Sequence, residues 1–374
     1  MLTTTPSLHH RRPRQAGVTL IELMVSLTVG LLVVGAMTAI FLQSSRARNA
    51  NERINRQVEN ARYAMQLITT DLQQAGYYDA YDPDPSSQSY LAPPATLPDP
   101  CDITVAGLKT AIALPIQGYD SKASNPLASS CISDFKTGTD VLVIRRASSC
   151  VAGPTADTNC DAAASGDYLF QASLCGTEIT AGSYFVIGTT TAAMTLHKRD
   201  CATLANYRRL QVHIYYIANN NKAGDGVPTL KRVELINGGM TATPEPLVEG
   251  IEDLQIEYGI DTTVGGGSAA QLKGDGIPDV VTADPSSYNP GTGVCSATTS
   301  PTCTQYWQAV VTANVHLLAR NTQSDGSYTD TKKYVLGLNA DSTQHVDQPG
   351  GNYERHAYQA LVRLYNPNYR RLTQ

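Results

Sequence analysis

The chain has 374 residues, with 28 basic, 33 acidic and 8 cysteine residues and a formal net charge of −5. Such a length bounds one large domain or two small ones beside any anchoring segment. The acidic balance argues against a broad DNA-binding face, so a nucleic-acid partner is not expected.

A polar leader opens the chain and places Arg11, Arg12 and Arg14 just ahead of Ala16-Gly17. An apolar run from Val18 to Leu42 follows, in which Glu22 is the only ionisable side chain. A secretory signal has an apolar stretch of about 7 to 15 residues, whereas a spanning helix needs about 20, so this run predicts a membrane span. The leading arginines favour a cytoplasmic N-terminus, but Arg46, Arg48 and Arg53 follow the run, and charge bias alone does not set the orientation. A carboxylate near the middle of a membrane helix costs about 2.5–3.5 kcal/mol on insertion scales. Glu22 therefore calls for a cation, and the obvious donor is another molecule.

Helical periodicity continues beyond the apolar run. No proline occurs between Pro13 and Pro83, and Ile54, Val58, Ala61, Met65, Ile68, Leu72 and Ala75 recur at alternating spacings of four and three. Gly76 is placed to terminate the helix. The pattern predicts one helix over Val18–Ala75, about 87 Å long at about 1.5 Å per residue. Its first half, 18–42, suits a membrane or a filament core. Its amphipathic second half, 43–76, suits packing under a sheet, with a dimeric coiled coil as the rival. Gly30 and Gly35 lower helix propensity locally in the apolar half.

From residue 77 the chain predicts a β-rich globular domain. Six prolines between Pro83 and Pro100 start an irregular connector, taken as 83–135. Short β-rich runs follow at Thr139–Ile144 and Tyr184–Ile187. Val212, Ile214 and Tyr216 alternate with Gln211, His213 and Tyr215, the period-two pattern of a half-buried strand. The Asp225-Gly226 turn joins that strand to the Leu230–Leu235 run as a hairpin with a long loop. Three more alternating runs are centred on Ile256, Val315 and Ala360, and 261–308 is an insertion loop. The predicted fold class is α+β, with the long N-terminal helix packed on an antiparallel sheet that bears disulfide-linked loops.

All eight cysteines, at 101, 131, 150, 160, 175, 201, 295 and 303, lie after the apolar segment. None sits two to four residues from another, the spacing zinc ribbons require, so disulfides in an oxidising compartment are expected. Spacing does not fix their connectivity. Sequence proximity suggests Cys150 with Cys160, Cys175 with Cys201 and Cys295 with Cys303, leaving Cys101 with Cys131. Catalytic chemistry has little support: the chain lacks the Gly-x-Ser-x-Gly and His-Glu-x-x-His patterns, and Gly265-Gly266-Gly267-Ser268 lacks a phosphate-loop lysine. His213 and His316 fall on strand patterns as satisfied or exposed imidazoles. Asp275-Gly276-Ile277-Pro278-Asp279, flanked by Asp261 and Asp284, suits a turn better than a calcium loop, because the full ligand spacing is absent. No enzyme activity, cofactor or metal ligand is assigned. Tyrosine dominates the aromatics, 20 against 4 Phe and 1 Trp, which suits either protein contacts or buried strands.

The string Ala16-Gly17-Val18-Thr19-Leu20-Ile21-Glu22-Leu23-Met24-Val25 resembles the class III signal of type IV pilins and type II secretion pseudopilins. The resemblance implies cleavage by a prepilin peptidase between Gly17 and Val18, N-methylation of Val18, and a role for Glu22 in assembly. Losing the leader arginines would move the net charge from −5 to −8. Valine replaces the Phe or Met usual at the first mature position. A methylated amine keeps its positive charge, so Val18 of a neighbouring subunit could supply the cation for Glu22. The strings Ala61–Met65, Asp71–Tyr77, Asp140–Ala147 and Leu247–Gly259 are similar to the PilW family of minor pilins, with the J-like pseudopilins of type II secretion as the alternative. An envelope-anchored binding protein or hydrolase is the alternative from another class. The PilW resemblance implies an inner-membrane, single-pass protein with a periplasmic C-terminal domain. It would join a pilus near its tip and serve twitching motility and adhesion. Its implied partners are other minor pilins, the major pilin, the prepilin peptidase, the inner-membrane assembly platform and a tip adhesin.

Overall fold

A computed structural model of the chain describes residues 17–83, 89–120, 123–160, 163–262, 274–288 and 303–367. The chain divides into two units, Met1–Ile54 and Asn55–Gln374. The leader arginines, the Gly265–Ser268 string and Cys295 lie outside the described residues.

In chain order the helices are α1 (Leu20–Gln74), α2 (Val105–Ala111), α3 (Gly176–Thr180) and α4 (Cys303–Gln308). The first strands are β1 (Ile116–Tyr119), β2 (Val141–Ala147), β3 (Leu169–Ala172), β4 (Phe185–Gly188), β5 (Tyr207–Ala218), β6 (Thr229–Ile236), β7 (Gly239–Met240) and β8 (Glu245–Glu249). They are followed by β9 (Ile251–Ile260), β10 (Val280–Thr282), β11 (Val310–Arg320), β12 (Tyr334–Leu338), β13 (Gln344–Asp347) and β14 (Arg355–Arg363). The stretch predicted as irregular connector thus contains a short helix and a strand, α2 and β1. Thr104 starts α2 by accepting the Gly107 N–H at 3.0 Å, a cap that its neighbouring prolines do not disturb.

In the first unit, the part of α1 from Leu20 onward carries its apolar side chains outward. Val18 through Leu42 contribute a run of exposed large hydrophobics, among them Leu20, Leu32 and Phe41. Among the described residues, α1 is the one helix long and apolar enough to cross a membrane. Its hydroxyls are satisfied internally: Ser26 Oγ donates to the Leu23 carbonyl at 3.0 Å, Thr28 Oγ1 to Val25 at 2.9 Å and Thr38 Oγ1 to Val34 at 2.8 Å. Side-chain hydroxyls that return to their own helix present no unsatisfied donor to hydrocarbon.

The second unit is built on two main antiparallel sheets and a small hairpin, where one sheet was expected. The first sheet runs β1-β2-β5-β3-β4, with β6 also on β5 and β7 and β8 on β6; the second runs β10-β9-β11-β14; β12 and β13 pair with each other. The Asp225-Gly226 loop does join β5 to β6, in a register that sets Ala218 opposite Thr229.

One core joins helix and sheets within this unit. Ala61, Ala64, Ile68 and Leu72 of α1 pack with Leu142, Ile144, Tyr215 and Ile217 of the first sheet and with Leu254, Ile256, Val315, Leu317 and Val362 of the second. Truncating a fully buried Ile68 or Leu72 to alanine should cost about 2–5 kcal/mol. A second core lies on the other face of the first sheet and takes Leu210, Val212, Ile214 and Tyr216 of β5 with Tyr78, Ile112 and Phe135. Strand β5 is therefore buried on both faces instead of half-buried. The helix covers one side, and the segment once expected to be irregular covers the other.

The buried stripe of α1 differs from the expected one in its polar members. Gln57 and Asp71 are buried along with Ala61, Ala64, Ile68 and Leu72, while Met65 sits at the rim. Gln57 Nε2 donates to the Ala319 carbonyl at 2.6 Å, which satisfies the amide nitrogen inside the core, while Oε1 is left buried without a hydrogen bond. Gly76 ends the helix with φ +72, and its N–H donates to the Arg145 carbonyl at 2.9 Å. Only a residue without Cβ takes that conformation at low cost.

Candidate functional site

Glu22 is the third helical residue of α1, because the helix begins at Leu20 and Thr19 precedes it. The backbone N–H and the Oγ1 hydroxyl of Thr19 both donate to Glu22 Oε2 at 3.1 Å, and the Glu22 N–H donates back to Thr19 Oγ1 at 3.3 Å. This reciprocal pattern is a capping box, which satisfies otherwise orphaned N–H groups at the start of a helix. A negative side chain in the first turn is also favourable against the helix dipole. Thr19 is thus a hydrogen-bond partner of Glu22 that sequence reasoning passed over, although the Thr-x-x-Glu spacing is its signature. The bonds orient the carboxylate but bring no counter-charge. Among the described residues no cation meets it, and Val18, Leu20 and Ile21 around it are exposed. Gly17 and Val18, the residues on either side of the expected cleavage, lie outside the helix just before its start and are exposed.

The second unit carries a buried polar network between α1 and the first sheet. Asp71 accepts from Arg146 Nε at 2.8 Å and from Tyr215 OH at 3.0 Å, and pairs with His213 Nδ1 at 2.5 Å. His213 Nε2 lies 3.5 Å from Glu234 Oε1. Burial would push the Asp71 carboxyl up, but the charges and hydrogen bonds of His213 and Arg146 outweigh it and hold the acid well below the ordinary carboxylate range. Burial likewise opposes charging of His213, yet Asp71 and Glu234 raise its pKa above the usual histidine value. Two of the family-like strings meet here, since Asp71 belongs to one and Arg146 to another. His213 is held by this network through Nδ1, while its buried Nε2 makes no hydrogen bond; His316 Nε2 pairs with Glu257 at 2.9 Å.

Three disulfides connect Cys101 with Cys131, Cys150 with Cys160 and Cys175 with Cys201 at Cα separations of 6.1, 5.9 and 4.9 Å. Cys303 is also disulfide-bonded. The acidic turn residues serve the backbone: Asp261 accepts the Gly276 N–H at 2.7 Å, Asp279 the Thr262 N–H at 2.8 Å and Asp284 the Ser286 N–H at 2.9 Å. No group of three or more His, Cys, Asp or Glu residues suited to a metal occurs among the described residues.

The model of the family described as Type IV Pilus-assembly protein W matches residues 214–366, and that of the Prokaryotic N-terminal methylation motif matches residues 12–38. The first match starts inside β5 and takes in the whole second sheet. No curated protein sequence matches the chain. Among solved structures, a type IV-like pilin from Thermus thermophilus aligns at 12% identity over 61% of this chain and 78% of its own, with a TM-score of 0.24, too loose a likeness to carry an argument. A methylation motif at the head of an exposed apolar helix, followed by a domain that matches the W-type pilus-assembly family, makes this chain similar to PilW-type minor pilins, which are structural components of type IV pili.

Proposed function

We propose that a prepilin peptidase cuts this chain between Gly17 and Val18, that Val18 is then N-methylated, and that the protein waits in the inner membrane as a single-pass species with its disulfide-bearing unit in the periplasm. From there the assembly platform passes it into a type IV pilus near the tip. There it primes filament growth with other minor pilins and the major pilin, supports twitching motility and adhesion, and helps carry a tip adhesin.

The observation that carries this reading is the Glu22 carboxylate, capped by Thr19 yet without a cation among the described residues, on a helix start whose apolar side chains are exposed. In a filament the methylated amine of a neighbouring Val18 supplies the cation, and the apolar side chains of neighbouring helices cover the rest. A charged pair formed in a low-dielectric core is strong when both groups are matched and costly when one is missing, so the pair sets the register of one subunit on the next.

Mass spectrometry of the mature N-terminus tests the processing step. N-methylated Val18 is expected in the wild-type cell and the intact leader in a peptidase-deletion strain; the same N-terminus in both strains would overturn the reading. The W-type match over 214–366 supports a pilus over a type II secretion pseudopilus. Deleting the gene should accordingly remove surface pili and leave protein secretion intact, and the reverse result would transfer the protein to the secretion system.

A further inference from the structure

A cavity of about 230 Å³ opens beside the C-terminal turn of α1, lined by Gln74, Arg146, Ser148, Cys150, Arg209 and Gln211 among others. Its lining holds two guanidinium groups and no carboxylate, in a protein whose overall charge is negative. Neither arginine is saturated by the fold. Arg146 gives its Nε to Asp71 at 2.8 Å. Arg209 has Asp167 at 3.8 Å and Glu234 at 4.0 Å, both longer than a hydrogen bond. Those two acids are occupied elsewhere: Asp167 accepts the Asn237 and Ala164 N–H groups at 2.8 Å, and Glu234 lies 3.3 Å from Arg232. Gln211, only 8% exposed, forms part of the same wall, and its Oε1 has no hydrogen-bond partner.

From these observations we propose that the cavity is a docking site for an acidic side chain on an extended peptide of a partner protein, its carboxylate held between the guanidinium groups of Arg146 and Arg209. Forked N–H donors match a carboxylate in two-point fashion. The peptide carrier follows from two features. A backbone N–H next to the acidic side chain meets the spare amide of Gln211. A neighbouring cavity shares Gln74 and Arg146 with the first and is lined by Leu67 and Tyr63, which offer an apolar wall to the adjacent side chain. This inference does not depend on the pilus reading.

The test titrates the full-length protein in detergent micelles, by calorimetry at low ionic strength, with acetyl-Ala-Glu-Ala-amide, its Gln counterpart, glutarate and inorganic phosphate. Saturable binding of the Glu peptide is expected, with the Gln peptide about tenfold weaker, as for loss of one charge-assisted hydrogen bond. Arg209→Gln should weaken the Glu peptide about tenfold, and Arg209→Lys should restore only part of it, because an ammonium lacks the fork. Gln74→Glu, which places a competing carboxylate at the cavity, gives a second route to the same loss and should melt like the wild type. Absence of binding by the Glu peptide, equal binding of the Gln peptide, or binding unchanged in both Arg209→Gln and Gln74→Glu would overturn the site. Tighter phosphate binding would overturn the carboxylate assignment, and glutarate binding as tightly as the peptide would overturn the peptide carrier.

Discussion

His213 Nδ1 stands 2.5 Å from Asp71 Oδ2, joining the middle strand of the first sheet to the last turns of α1. The pair makes stability pH-dependent on both sides. Asp71 has a lowered folded pKa, so its contribution is present above the unfolded carboxylate value, about 3.9, and is lost as pH falls through the folded one. His213 has a raised folded pKa, so its contribution is complete below about 6.5 and fades as pH rises through the folded value. Melting temperature should therefore be highest between about pH 5 and 6.5 as far as this pair is concerned. In His213→Gln the decline above pH 6.5 should flatten; a decline as steep as in the wild type would remove His213 as its source.

Asp71→Ala should be more damaging than the loss of one hydrogen bond. It strands the Arg146 guanidinium and the His213 imidazole, both largely buried, and breaking such a network from one side costs about 3–5 kcal/mol. Denaturant unfolding of the second unit in the full-length protein should show that loss. A change below about 1 kcal/mol would indicate that water reaches the site and solvates the stranded groups.

Gly76 and its neighbours show how far local chemistry was legible. The Ala75-Gly76 boundary was visible because a proline-free apolar stripe ended at a glycine, and the structure puts that glycine at φ +72. Strand β5 was visible as an alternation, but its second buried face was not, since that face is covered by residues more than seventy positions away, Tyr78 and Ile112 among them. The same distance hid the Asp71 network: an aspartate on the apolar side of a helix looks like a rim residue until Arg146 and His213 are brought to it. At the start of α1 Glu22 stood out as a charge in an apolar run, whereas Thr19 looked ordinary until its reciprocal bonds were seen.

Gly76→Ala tests that helix end directly. A Cβ at this position would lie 3.0 Å from Pro115 Cβ and would also force an L-residue into the left-handed region. Loss of at least about 1 kcal/mol is expected in denaturant unfolding, with the Cys101–Cys131, Cys150–Cys160 and Cys175–Cys201 disulfides still formed. Unchanged stability would mean that the helix can end elsewhere.

The disulfides should differ in weight. Cys101–Cys131 closes 30 residues and Cys150–Cys160 only 10. Chain entropy makes the longer closure worth about 1 kcal/mol more. Paired Cys→Ser variants, compared by denaturant unfolding, should rank in that order. The opposite ranking would show that native contacts around the shorter bridge, beside the Arg209 cavity, dominate over loop entropy.

Glu22 has two roles that a single substitution can separate. As the closing residue of a capping box it accepts from Thr19, and as a charge on an exposed apolar helix it needs a cation. Glu22→Ala removes both functions. Glu22→Gln keeps an acceptor that can still close the box, since Gln serves at this position as Glu does, but it has no charge to attract the methylated Val18 amine proposed as its partner. If the cap is what matters, Gln should incorporate into pili like the wild type and Thr19→Val should fail. If the charge is what matters, Glu22→Gln and Glu22→Ala should both insert, be cleaved after Gly17 and remain in the membrane fraction, while Thr19→Val, which costs the helix start about 1 kcal/mol, should still be found in sheared pili. The charge is expected to decide, because a lost cap is shared with a long helix that holds itself together, whereas an unpaired carboxylate has nothing inside the apolar run to replace its partner. Pilus fractions probed for the four proteins give the answer, and Glu22→Gln at wild-type abundance would end the electrostatic account of assembly.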